Sequence, residues 1–176
     1  MRLPIHGTLL VLALIVPTRH AVAQTGAIGT HYGVNLTEGH WEQEHLGVHG
    51  EVRAVGPLVV SAAISKLIDW PAVTGLTGSA WQVHANVRLR PPGTWSFASV
   101  GYGFVVVRSS VQGTVQPGTT VTVSDSEFAD TAVLGLQAPL QYVRPFVDLY
   151  LIYLLDRTGQ VGVNLLMGLQ LPIPLR

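Results

Sequence analysis

The 176-residue chain has no cysteine and few charged residues. Asp, Glu, Lys and Arg make up 11% of it and hydrophobic residues 48%, whereas about 25% of a typical soluble domain is charged. The absence of cysteine excludes disulfides, cysteine nucleophiles and thiolate metal sites. Lys66 is the only lysine, and the formal net charge is zero. We therefore expect no nucleic-acid partner, because the chain lacks the basic surface that phosphate binding requires.

Long apolar runs are also absent. No stretch after the N-terminal region reaches 18 uninterrupted apolar residues, so any membrane insertion must use strands rather than helices. The N-terminal region combines Arg2, the short apolar run Leu9 to Val16, and small residues at Ala21 and Ala23. This pattern is typical of a secretory signal peptide. We predict that residues 1–23 are cleaved and that residues 24–176 form one exported domain.

Most of the exported domain alternates between bulky aliphatic residues and small, polar or charged ones. In one segment, Val83, Val87 and Leu89 alternate with His84, Arg88 and Arg90. A soluble barrel needs its large apolar side chains inside, where little room is available. The apolar residues here are larger than the residues between them, so we expect the apolar face to point outward to lipid.

The alternation predicts an all-β fold, an eight-stranded antiparallel up-and-down transmembrane β-barrel. An even number of strands is what a bacterial outer-membrane barrel requires. The predicted strands span residues 28–36, 45–54, 58–67, 79–90, 94–108, 128–138, 141–154 and 160–173. The facing of the third and fifth strands stays open by one residue, because apolar residues run together at 58–60 and 104–107.

Connection lengths give a second indication. Short segments rich in Pro or Gly, residues 55–57, 91–93 and 139–140, suit periplasmic turns, and the longer segments 37–43, 68–78, 109–127 and 155–159 suit external loops. Residues 109–127 are the predicted contact surface. Their Val-Thr alternation could instead extend the fifth and sixth strands as a hairpin.

Aromatic residues occur where membrane interfaces would lie. Trp81 and Trp95 open the fourth and fifth predicted strands, and Tyr142 and Tyr153 lie near opposite ends of the seventh. Amphipathic rings favour the headgroup region of a bilayer, so we assign these four residues to interfacial girdles.

Together these features resemble the small eight-stranded outer-membrane barrels of the OmpA and OmpX type. The resemblance covers about residues 27–173 and rests on topology, loop alternation and small inward glycines such as Gly29, Gly101 and Gly135. It implies an outer-membrane location, contact with lipid and lipopolysaccharide, assembly by the barrel assembly machinery and a monomeric state. It implies no active site. The chain departs from the family at its end, Leu171 to Arg176, which has no terminal aromatic residue.

Charged residues fall on the inward face of the predicted strands. The lumen of an eight-stranded barrel is only wide enough for its own side chains, so buried charges there must be compensated. We predict an internal salt-bridge network made of Glu51, Arg53, Arg88, Arg90, Arg144 and Asp148.

Three histidines, His31, His49 and His84, are predicted lumen residues. If the first hairpin is centred on His40, then His31 lies opposite His49. A zinc site needs three or four ligands, so we interpret these histidines as hydrogen-bonded packing and expect no metal or cofactor.

Catalytic motifs are lacking. The chain has no His-x-Ser, Gly-x-Ser-x-Gly or His-Glu-x-x-His sequence, and Ser99 opposite His84 would depend on strand register. The sequence favours a non-enzymatic outer-membrane barrel that acts in envelope integrity or surface interaction. Two alternatives stay open: a soluble periplasmic lipocalin-like ligand-binding barrel, and a barrel enzyme that modifies lipid A.

Overall fold

The computed structural model describes residues 25–37, 40–68, 76–116, 119–138, 140–153 and 161–174. Eight antiparallel strands close into a barrel in which each strand pairs with the next and β1 pairs with β8. The predicted fold class is therefore confirmed. The strands are β1 (Thr25–Thr37), β2 (His40–Arg53), β3 (Leu58–Leu67), β4 (Leu76–Leu89), β5 (Ala98–Gln116), β6 (Thr119–Gln137), β7 (Arg144–Tyr153) and β8 (Val161–Pro174).

A short 3-10 helix, Gly93–Trp95, lies between β4 and β5. In the part of the chain that the structure describes, no helix is long and apolar enough to cross a membrane. The predicted signal peptide, residues 1–23, lies outside the described residues.

Strand boundaries differ from the prediction mainly in β5 and β6. These strands run to Gln116 and from Thr119, so the segment predicted as a loop, 109–127, is nearly all strand. The hairpin alternative is correct, because alternating Val and Thr suit an extended, paired backbone. β5 also begins at Ala98, four residues later than predicted, because the 3-10 helix occupies its expected start.

The predicted alternation of short and long connections is wrong. Residues 90–97 separate β4 from β5, whereas only residues 38–39 and 117–118 separate the strands of the two hairpins at the other end. Strand extension absorbs the residues that were predicted as loops. Most of the predicted loops 68–78 and 155–159 lies outside the described residues.

The two faces of the wall have opposite chemistry. On β4, Gln82, His84 and Arg88 are buried, while Val83 and Val87 are exposed. The larger apolar side chains therefore point outward, as residue size predicts. The structure also settles the two open strands: Val59 and Val105 point inward, and Val60 and Phe104 point outward.

In the segments that the structure describes, three strands continue beyond the others. β3 pairs with β4 only as far as Lys66 and Trp81, and β6 pairs with β7 only from Asp130 to Gln137. Residues 76–80, 109–116 and 119–127 therefore form a three-stranded extension, here named the protruding sheet. It lies at the end of the barrel opposite the start of β1 and the end of β8.

Candidate functional site

The lumen contains a buried ion pair that joins opposite walls. Arg88 on β4 donates through Nη1 to Asp148 Oδ1 and through Nη2 to Tyr150 Oη, both at 2.7 Å. All three side chains are almost completely buried. A buried charge is tolerated only when it is paired and hydrogen-bonded, so this cluster ties β4 to β7 across the lumen.

Glycines on the intervening strands make room for this cluster. A Cβ atom at Gly135 on β6 would lie 2.6 Å from Asp148 Oδ1 and 3.0 Å from Arg88 Nη1, and one at Gly101 on β5 would lie 2.8 Å from Arg88 Cγ. These separations are shorter than ordinary van der Waals contact. The small residues of the alternation therefore accommodate the large ones of neighbouring strands.

A second ion pair lies nearer the end that carries the chain termini. Arg90 donates through Nη1 and Nη2 to the two carboxylate oxygens of Glu51, at 2.6 and 2.8 Å. This fork geometry is the strongest form of Arg–carboxylate contact. The pocket lined by both ion pairs has no volume that a water molecule could occupy.

The predicted six-residue network is thus two separate pairs. Arg53 and Arg144 are half-buried, and neither forms an ion pair with any acidic residue that the structure describes. Both lie at strand ends, Arg53 as the last residue of β2 and Arg144 as the first of β7. Long cationic side chains at such positions can extend their terminal groups into water, although Nε of Arg144 is buried and has no hydrogen-bond partner among the described residues.

Four histidines, His31, His45, His49 and His84, are buried in the lumen. His31 Nε2 lies 2.7 Å from Ser65 Oγ, and His45 Nε2 lies 3.1 Å from Asn164 Oδ1. His49 bonds Gln170, and the ring of His84 packs on that of Tyr150 with centroids 4.5 Å apart. Each imidazole therefore has a different polar or aromatic neighbour.

The predicted opposition of His31 and His49 is wrong. His31 pairs with Gly47, and His49 pairs with Gly29. The hairpin is not centred on His40, because His40 itself pairs with Thr37, and the one-residue register shift between Asn35 and Leu36 does not compensate for this difference. His31 instead approaches His45, with ring centroids 6.0 Å apart.

Neither a metal-ligand group nor the Ser99–His84 pair forms among the described residues. No group of three or more His, Asp or Glu side chains in these segments could hold a metal ion. His84 pairs with Val105, so Ser99 is not opposite His84. His31 and Ser65 form a His–Ser contact that the sequence did not predict, but His31 Nδ1 has no partner in the described part of the chain, and both residues are buried.

Further polar residues lie at inward positions of the same alternation, as the pattern predicts, but their contacts were not predicted. Thr131 donates to Asn86 Oδ1 at 3.2 Å, and Gln137 donates to Gln170 Oε1 at 2.8 Å. Asn164 approaches both His84 and Gln82. The only sequence signal for these contacts was the inward position of each residue, because the residues are uncharged and belong to no motif.

The predicted interface aromatics lie at both ends of the barrel, and one of them, Trp95, lies outside its predicted strand. Trp81 and Tyr153 are exposed near the protruding sheet, and Tyr142 is exposed at the opposite end, before β7. Trp95 belongs to the 3-10 helix and not to β5. Trp81 lies five residues inside β4 because that strand begins earlier than predicted.

Comparison with solved structures gives matches over nearly the whole of small outer-membrane barrels. Ail, the attachment invasion locus protein of Yersinia pestis, matches with a TM-score of 0.54 and 11% identity, over 86% of this chain and 99% of that one. Neisserial surface protein A matches with a TM-score of 0.54 and 9% identity, over 84% and 96%. The N-terminal β-barrel domain of Pseudomonas aeruginosa OprF matches with a TM-score of 0.50 and 9% identity, over 84% and 97%.

The chain has the fold of the small eight-stranded outer-membrane barrels. No protein-family model and no curated protein matches it. At such low identities the likeness concerns the fold alone, so the function has to be argued from this chain's own surfaces.

Proposed function

We propose that this chain is a non-enzymatic outer-membrane protein with a closed lumen, which acts in envelope integrity or surface interaction through its protruding sheet. The observation that carries the proposal is the reversed arrangement of the wall: fully buried Arg88 inside, and exposed Val83, Val87 and Leu134 outside.

The apolar belt has a height suited to a bilayer. Outward residues of β4 from Trp81 to Leu89 carry no charge, and eight steps of about 3.3 Å span about 26 Å along the strand. With the tilt of about 40° typical of such barrels, this corresponds to roughly 20 Å along the membrane normal, close to the apolar band of about 25 Å in outer-membrane barrels. Exposed Leu169 and Leu171 on β8 continue the belt.

The soluble lipocalin-like alternative requires an apolar interior that could receive a ligand. The described lumen instead holds two ion pairs, four histidines and several amides. The lipid A-modifying alternative requires a nucleophile and a base that a substrate can reach. The His31–Ser65 contact is buried, so the geometry favours neither alternative.

The protruding sheet supports a surface role. In the described part of the chain, β6 pairs with β7 from Asp130 onwards, and residues 120–128 of β6 are exposed. Exposed strand residues beyond the apolar belt offer a surface for another polypeptide. The names of the attachment invasion locus protein and Neisserial surface protein A, which share the fold, agree with a role at the cell surface.

Several accompanying features belong to the same proposal. Export uses cleavage after Ala23, the barrel assembly machinery inserts the chain, and the protein is a monomer surrounded by lipid and lipopolysaccharide. Exposed Leu169, Leu171 and Ile173 keep the outward apolar pattern along β8.

The test is membrane fractionation. Expressed in a Gram-negative host, the protein is expected in the outer-membrane fraction after carbonate and urea washes, and its unheated form is expected to migrate differently from its heated form on gels. Release by the washes together with identical migration would reject the proposal.

A further inference from the structure

Two outward-facing cations flank a tryptophan at the border of the apolar belt. Lys66 on β3 pairs with Trp81 on β4, and Trp81 pairs with Arg108 on β5. All three side chains are exposed and point away from the lumen. We name these residues the basic row.

Neither cation of the basic row has an acidic partner within 4.0 Å in the described part of the chain. Their exposure leaves both charged groups available to a ligand. The outward acidic residues of the described chain include Glu44 on β2, beside Tyr32, and Asp130 on β6, beside Tyr102, both outside the basic row. Among the outward residues that the structure describes, the cations therefore lie on β3 and β5, on either side of Trp81 of β4.

The surroundings of the basic row change abruptly from one side to the other. Towards the termini the same outward face carries Ile64, Val83 and Val106. Towards the protruding sheet it carries hydroxyl-bearing residues, among them Ser79, Ser110 and Ser124. The basic row thus lies where hydrocarbon would end and headgroups would begin.

We propose that the basic row binds the phosphorylated sugar headgroup of lipopolysaccharide in the outer leaflet. This proposal rests on the proposed function, because it requires the barrel to stand in that membrane. Neighbouring strands are about 4.8 Å apart. The Cα atoms of Lys66 and Arg108, which lie two strands apart, are therefore separated by about 10 Å, and both long side chains can contact one headgroup. Guanidinium and ammonium groups bind phosphate, the indole favours the interface, and the hydroxyl face above offers hydrogen bonds to sugars.

The test compares lipid retention by the full exported chain in nanodiscs. Wild type, the double variant Lys66→Gln with Arg108→Gln, and the control Arg53→Gln are placed in phosphatidylcholine containing lipopolysaccharide, dephosphorylated lipopolysaccharide or phosphatidylglycerol. Native mass spectrometry across a titration measures the Kd for each added lipid. Arg53 is a suitable control because it is an arginine at the opposite end of the wall.

Wild type and Arg53→Gln are expected to bind lipopolysaccharide with the same Kd, and the double variant about thirtyfold more weakly, since each basic residue near a membrane surface contributes about a factor of five. Dephosphorylation should weaken wild-type binding to a similar extent. Equal binding by the double variant would overturn the proposal. So would phosphatidylglycerol binding as tight as that of lipopolysaccharide, which would indicate attraction to any anionic lipid.

Heat-dependent gel migration of each sample separates the two proposals. A chain that inserts, migrates as a folded barrel and binds no lipopolysaccharide overturns the basic row alone. A chain that does not insert overturns the proposed function, and the basic row with it.

Discussion

Arg88 and Asp148 meet inside the barrel, with Nη1 of the guanidinium 2.7 Å from Oδ1 of the carboxylate, although 60 residues separate them in the chain. Because they lie on β4 and β7, their pairing depends on the closure of the whole wall. They are the clearest link between the alternating pattern and the specific interior that it builds.

The first prediction concerns the balance of this pair. Asp148→Asn leaves the Arg88 charge buried without its counter-ion, so we expect the free energy of unfolding to fall by about 3–5 kcal/mol. The double variant Arg88→Met with Asp148→Leu removes both charges and should recover at least half of that loss. Urea unfolding in lipid vesicles, followed by migration on unheated gels, measures both. Equal losses in the single and double variants would contradict a compensated pair.

The second prediction tests the space left by an inward glycine. Gly135→Ala places a Cβ atom 2.6 Å from Asp148 Oδ1, so the ion pair must shift, at a cost of about 1–3 kcal/mol. The matched control is Gly50→Ala, where the nearest atom, the carbonyl oxygen of Ala27, lies 3.8 Å from the new Cβ. The control should change the free energy of unfolding by less than about 0.5 kcal/mol. The same urea titration distinguishes the two, and equal effects would show that the cluster tolerates displacement.

The third prediction places the bilayer on the outer wall. Val87→Arg inserts a charge into the apolar belt, one outward position from its border at Leu89, so we expect it to destabilise the barrel in vesicles by about 1–3 kcal/mol, between the midplane and interface costs. Val123→Arg puts the same charge on the protruding sheet, where the side chain is 64% exposed, and should have little effect. Folding yields in vesicles of the two variants give the comparison. A water-soluble barrel would tolerate Val87→Arg equally well.

The fourth prediction concerns conductance through the lumen. Arg88 and Tyr150 are fully buried and fill the central cross-section, so wild-type protein in a planar bilayer should show no steady ion current. The double variant Arg88→Ala with Tyr150→Ala should conduct. The control variant Val83→Ala with Val87→Ala also truncates two side chains to alanine, but on the outer wall, so it should not conduct. A steady wild-type current would contradict a side-chain-filled lumen.

Sequence reasoning worked best where the information is local. β3 has its predicted bounds, Leu58–Leu67, because turn residues limit it at one end, although the apolar run at 58–60 left its facing open. It worked less well for β5 and β6, since the Val-Thr segment suits either a loop or a hairpin until both strands are seen to pair.

Pairings across the lumen were beyond the sequence. Arg90 was predicted to be inward, but nothing in the pattern selects Glu51 rather than Asp148 as its partner. His31 was assigned to the lumen, and yet its predicted opposite residue was wrong because the hairpin turns before His40, which pairs with Thr37. Such contacts depend on register, which one inserted residue alters.

By itself, the sequence determined that the chain forms strands, that there are eight of them, and that the larger apolar residues face outward. These properties follow from a two-residue period and from side-chain size, which are fixed along each strand. Only the tertiary structure decided that Arg88 reaches Asp148, that Gly135 makes room for them, and that Lys66, Trp81 and Arg108 share one row. The physical reason is that these neighbours are set by the stagger of every strand around a closed wall, which no single segment encodes.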